Sequence, residues 1–161
     1  MKRTSFSGMR CSIAQALEIV GEWWTLLILR DAFFGVTRFD DWQRRLGIAR
    51  NVLSARLETL VDEGILERRR YQEHPPRDEY VLTRKGRDLA PVLEALRTWG
   101  DRYAAPDGPP VVLVHDDCGE AVYPVSHCSK CGERLRFGHI HLEPGPGNPD
   151  ASFLDVGRRS G

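Results

Sequence analysis

Apolar residues recur at helical spacing through the first two-thirds of the chain. Ile13, Ala16, Leu17 and Val20 predict one helix, which Gly21 interrupts. Ser12-Ile-Ala-Gln15 at its start has the form of a capping box, in which the Ser and Gln side chains satisfy opening backbone donors. From Trp23 to Phe34 the chain is apolar almost all round, with Trp24, Leu26, Leu27, Ile28 and Leu29. A helix of that kind belongs at the centre of a core. Phe39, Trp42 and Leu46 then mark a short amphipathic helix closed by Gly47, and Leu53, Leu57, Leu60 and Val61 mark a second, closed by Gly64. Two helices joined by a short glycine-containing turn make a helix-turn-helix.

The period changes after Gly64. Ile65 to Tyr71 and Arg77 to Thr83 are strand-like, and Gln72-Glu-His74-Pro75-Pro76 between them forces a turn. A hairpin directly after a helix-turn-helix is a wing. Helical spacing returns over residues 84–103, with Leu89, Val92, Leu93, Leu96 and Trp99 as one stripe and Pro91 as a bend or a helix start. Residues 105–110 form a Pro/Gly linker, Val111–Val114 and Ala121–Val125 are short strands, and the Pro-Gly run from Glu143 begins a flexible tail at 143–161. The expected fold is therefore α+β. It is mainly helical with a hairpin wing over residues 1–104, followed by a small β module at 111–142.

Charge sharpens the division. Formal net charge is zero over 161 residues. Residues 1–104 carry 18 Lys+Arg against 15 Asp+Glu, net +3, and residues 105–161 carry 5 against 8, net −3. The basic excess is small, so attraction to nucleic acid rests on how the arginines cluster. No export signal or membrane-length apolar run is visible, which predicts a cytoplasmic protein with no membrane partner. In that compartment thiols stay reduced, so the four cysteines suggest metal or redox chemistry.

The helix after Gly47 suits a DNA groove. With its leucines inward, Asn51, Ala55, Glu58 and Asp62 face out, flanked by Ser54 and Thr59. Acidic residues occupy its later turns, so only its N-terminal end should approach phosphate. Arg50, Asn51, Ser54 and Arg56 are the expected groove contacts, and Arg69, Arg70, His74 and Arg77 the expected wing contacts. In the last third, His115-Asp-Asp-Cys118-Gly119 and Cys128-Ser-Lys-Cys131-Gly132 are two knuckles of equal spacing. Four N/S ligands on such knuckles suit a structural Zn2+ ion, predicted at His115, Cys118, Cys128 and Cys131. His127 is the nearest rival, and His139 and His141 follow on an expected strand. Catalytic zinc keeps an open position and here four donors fill the shell, so an enzyme is not expected.

The stretch from Cys11 to about Tyr103 resembles the HxlR family of winged-helix, MarR-like transcription regulators. The matching segments are Gly21-Glu-Trp-Trp24-Thr25, Arg38-Phe39, Leu53-Ser-Ala-Arg56-Leu57, Leu60-Val-Asp-Glu-Gly64-Ile65-Leu66, Tyr71, Pro75-Pro76-Arg77-Asp-Glu-Tyr80-Val-Leu82-Thr83-Arg-Lys-Gly86, Leu89-Ala-Pro91-Val92-Leu93 and Trp99-Gly100. The resemblance implies a homodimer bound to double-stranded DNA, with dimer contacts from the first and last helices. It also permits redox sensing at Cys11 or response to a small-molecule effector. Cys11 lies beside Arg10 at the mouth of a helix, a setting that favours thiolate. The competing reading is a winged-helix interaction module whose zinc ribbon docks a partner. The arginines of the wing argue against it.

Overall fold

The computed structural model describes residues 5–136 and 138–147. It divides into two units between Val111 and Val112. In the first, helix α1 spans Ser12–Val20 and α2 spans Trp23–Phe33. The capping box does not form: Ser12 is the first helical residue, Cys11 is the N-cap, and no side chain caps it. Gln15 instead donates to the carbonyls of Met9 at 2.8 Å and Phe6 at 3.2 Å, which ties the preceding segment to the helix. Gly21 separates the helices because nothing larger fits. A Cβ there would lie 2.4 Å from the Leu17 carbonyl oxygen. Glu22 then caps α2, its carboxylate accepting from the N–H of Trp24 at 2.9 Å and Thr25 at 3.3 Å. The two helices meet at 78°.

Helix α2 is central on one face only. Ile28 and Leu29 are fully buried, while Trp23 is 76% exposed and Phe34, just past the helix, 62%. All-round burial fails because this small unit packs elements against only part of the helix surface. Helix α3, Phe39–Leu46, ends at Gly47 in the left-handed region, φ +63°, and α4 follows at Arg50–Asp62. Trp42, Leu53, Leu57 and Leu60 have no exposed surface, and the Trp42 indole donates to the Ile28 carbonyl at 3.2 Å. Asp31 is also fully buried, and it accepts from Arg30 at 2.8 Å and Arg45 at 3.2 Å, joining α2 to α3.

Gly64, φ +66°, turns the chain into the wing. Strand β1, Leu66–Gln72, pairs antiparallel with β2, Arg77–Leu82, setting Leu66 opposite Leu82 and Arg70 opposite Asp78, with an irregularity between Arg70 and Gln72. The wing is locked to the helices. The Tyr80 N–H donates to the Thr37 carbonyl at 2.7 Å, the backbones of Arg38 and Glu79 form an antiparallel β-bridge, and the Tyr80 ring meets Trp42 edge-on at 6.2 Å. The short helix α5, Arg84–Arg87, is capped by Thr83, whose hydroxyl accepts from the Gly86 N–H at 3.1 Å and donates to the Gly64 carbonyl at 2.6 Å. Helix α6 spans Ala90–Tyr103, and Pro91 lies in its first turn, so it opens the helix and does not kink it. The expected apolar stripe splits in two. Leu89 and Leu93 pack on the core, whereas Val92, Leu96, Trp99 and Tyr103 are half exposed or more.

In the second unit, β3, Leu113–Val114, pairs antiparallel with β4, Ala121–Val122, so both strands are shorter than expected. His139 and His141 lie on no strand. None of its described residues is buried. Most of the expected tail, residues 148–161, lies outside the described residues.

Candidate nucleic-acid interface

Helix α4 has the two faces its sequence predicts. Asn51, Ala55, Glu58 and Asp62 are exposed, Ser54, Arg56 and Thr59 are half-buried, and the leucines are inside. Among the described residues, Asn51, Ser54 and Arg56 make no side-chain hydrogen bond or ion pair, so their polar groups are available. Arg50 is engaged instead. Its guanidinium lies over the Phe39 ring at 4.8 Å and donates to Gln43 at 2.9 Å and Asp40 at 3.5 Å. It is thereby swung from its own helix onto the first turn of α3.

The wing sorts its cations by pairing. Arg70 donates to Asp78, its cross-strand neighbour, at 2.8 Å and lies 3.7 Å from Glu73. The hydrogen bond to Asp78, then its charge, raises the Arg70 pKa above the ordinary value. Arg69 pairs with Glu67, and Arg68 stands 4.0 Å from Asp78. Arg77 and His74 are exposed and have no ion pair among the described residues. A paired arginine must leave its carboxylate to meet a phosphate; Arg77 need not.

A concave site of about 400 Å³ opens between the first turns of α3 and α4 and the wing. Three guanidiniums line it, from Arg38, Arg50 and Arg77. Phe39 and Tyr71 supply aromatic walls, and Asp40, Asp41 and Asp78 supply counter-charge. Arg38 stacks on Tyr71 at 4.7 Å, which carries a cation from the helix-turn-helix to the wing. Sequence reasoning did not include Arg38 among the contacts. Its position as the N-cap residue of α3 was the available signal. Aromatic props hold these cations at little entropic cost, and the carboxylates weaken the site for non-specific polyanions.

The remaining predicted site residues lie elsewhere. Cys11 is exposed at the N-cap of α1. In the second unit His115 Nδ1 is 3.3 Å from Cys118 Sγ. The backbone N–H groups of Cys131 and then Lys130 face the Cys128 sulfur and, with the Cys131 thiol, lower its pKa. The structure thus joins the predicted ligands in two pairs. Among the described residues, no three His, Cys, Asp or Glu side chains gather round one point.

A helix-turn-helix clamped to an arginine-bearing hairpin defines a winged-helix DNA-binding protein. The HxlR-like helix-turn-helix family matches residues 19–108, and the chain belongs to that family of transcriptional regulators. It is 50% identical over 137 residues to Rv3095 of Mycobacterium tuberculosis, an uncharacterized HTH-type transcriptional regulator, covering 84% of this chain and 87% of the relative. The crystal structure of PA1607, described as a candidate transcription factor, superposes with a TM-score of 0.77 at 39% identity, over 87% of this chain and 99% of that one. The redox regulator HypR in its reduced form matches with a TM-score of 0.56 at 28% identity, over 59% of this chain and 95% of HypR. The 137 residues matched to Rv3095 exceed the 111 of the first unit, so that likeness runs into the second. Family membership implies binding to DNA and gives no indication of catalysis. Among the described residues no single helix is long and apolar enough to cross a membrane.

Proposed function

We propose that the protein is a cytoplasmic homodimer that recognises operator DNA through α4 and holds it with the wing. The observation that carries the reading is the convergence of Arg38, Arg50 and Arg77 on one opening beside the N-terminal end of α4. A phosphate entering there draws Arg50 from Asp40 and Gln43 and meets Arg77 directly. Asn51, Ser54 and Arg56 then face base edges in the major groove, with Asn51 suited to adenine and Arg56 to guanine. Arg69, Arg70 and His74 grip the backbone or the adjacent minor groove.

Dimerisation is supported by apolar surface that the monomer leaves in water. Val92, Leu96, Trp99 and Tyr103 recur at helical spacing on α6, and Ile13 on α1 is 72% exposed. Pairing such faces about a two-fold axis sets two copies of α4 about one helical turn of DNA apart, ~34 Å. Cys11, two residues before Ile13 and at the N-cap of α1, is the proposed point of control. Oxidation there perturbs the dimer face, in keeping with HypR, a redox regulator described in reduced and oxidised forms. A small-molecule effector acting on the same face is the counterpart for a non-redox signal.

The test joins two measurements on the full chain. Sedimentation at micromolar concentration should give a dimer, and fragments of the DNA upstream of its own gene should be retarded with unequal affinity. A monomer that retards no fragment, or retards all fragments equally, would refute the proposal.

A further inference from the structure

Among its described residues the second unit has ordered turns and no buried apolar side chain to hold them. Leu113, Val114, Tyr123, Val125, Leu135 and Ile140 are all between 37% and 55% exposed. Its strands are two residues each. A segment of this size without a core needs a covalent or metal staple.

Its two turns repeat one backbone plan. The His115 N–H donates to the Glu120 carbonyl at 3.0 Å, and the Gly119 N–H donates back to the His115 carbonyl at 2.8 Å. The Cys128 N–H donates to the Glu133 carbonyl at 2.8 Å, and the Gly132 N–H donates back to the Cys128 carbonyl at 2.9 Å. Gly119 and Gly132 both take positive φ, +72° and +76°. A residue with a Cβ is strained there. Two unrelated loops rarely share every one of these features. What they share functionally is that each presents a nitrogen or sulfur donor at its first and fourth positions.

We infer that these turns are the two halves of a metal site in which His115, Cys118, Cys128 and Cys131 bind one Zn2+ ion. The first pair already meets at 3.3 Å, and all three cysteines are free thiols. Binding removes one proton from each of the three thiols to solvent, leaves His115 neutral, and changes no oxidation state. Three thiolates with one imidazole favour zinc over harder cations. His127 does not compete. Its backbone pairs with Arg134 as a bridge, and in extended chain its side chain points opposite to that of Cys128. His141 is engaged by Glu143 at 3.1 Å. The ion would convert two separate turns into a single ribbon and supply the stability that its apolar residues do not.

The full chain, prepared under reducing conditions without chelator, should contain one zinc per chain by elemental analysis. Cobalt substitution should give tetrahedral d–d bands together with thiolate charge-transfer absorption. The double variant Cys128→Ser/Cys131→Ser should lose the ion, and His115→Ala should bind at least about tenfold more weakly, as the loss of even an outer-shell partner does. His127→Ala should bind as the parent does. Amide resonances of residues 112–142 should shift with chelator while those of 12–103 stay in place, which separates loss of metal from loss of fold. Absence of stoichiometric metal, retention of it by the double serine variant, or equal losses in His127→Ala and His115→Ala would overturn the inference. None of these readouts involves DNA, so the DNA-binding proposal stands or falls separately.

Discussion

Replacing Arg77 by Gln removes a cation that no carboxylate among the described residues holds, at the site shared by the wing and the two helices. Gln keeps most of the stem and a hydrogen-bonding end, so the hairpin is preserved and only charge is lost. Each phosphate neutralised contributes about 0.9 to the slope of log affinity against log salt. A two-fold dimer presents Arg77 twice, so the variant should lower the magnitude of that slope by about 1.8. Between 50 and 200 mM salt the parent's affinity should therefore fall about twelvefold more than the variant's. Arg70→Gln offers the internal contrast. Its guanidinium is bound to Asp78 and flanked by Glu73, and the net charge it offers DNA is already offset. Its slope change should be clearly smaller. The assay is fluorescence anisotropy of a labelled upstream fragment at five or more salt concentrations, repeated on an unrelated duplex. Arg77→Gln should weaken both duplexes by similar factors, because phosphate carries no sequence information. An unchanged slope, or a loss confined to the specific fragment, would show that Arg77 does not contact phosphate.

Three other predictions test the remaining parts. Trp42→Ala removes a fully buried ring, its bond to Ile28 and its edge contact with Tyr80, and should cost about 4–5 kcal/mol, measured by urea denaturation; a loss under about 1 kcal/mol would contradict the packing described. Leu96→Asp puts a charge into the exposed stripe of α6 in both protomers and should weaken the dimer by about 3 kcal/mol, roughly a hundredfold in dissociation constant, with thermal stability of the monomer little changed; sedimentation identical to the parent would place the dimer contact elsewhere. Mild oxidant should release the native protein from DNA and leave Cys11→Ser bound, and equal release of both would move the sensor to the thiols of the second unit.

Features set by short-range chemistry were legible in the residues. Gly21, Gly47 and Gly64 end or separate elements where they were expected to, because backbone sterics and φ decide those points locally. The inward leucines of α4 follow from their spacing, and so does the outward face carrying Asn51. The site was less legible. Arg50 was expected on the groove face of α4, yet Phe39, eleven positions earlier, holds it over α3. Arg38 gains its importance from Tyr71, and Arg70 is offset by Asp78 through strand register. The expected all-round burial of α2 and the single stripe on α6 failed for a related reason. Periodicity shows that a face is apolar and does not show what covers it.

By itself, then, the order of apolar and turn-forming residues determined the helix-turn-helix, the hairpin after it and the break before the last unit. Each depends on chain stiffness, spacing and hydrogen bonds a few residues long. Tertiary structure decided which arginines are held by carboxylates and which stand open. It also decided that Trp23 and half of α6 face water. Those outcomes depend on partners far apart in sequence, such as Tyr80 and Thr37, whose meeting is settled only when the core closes around Trp42.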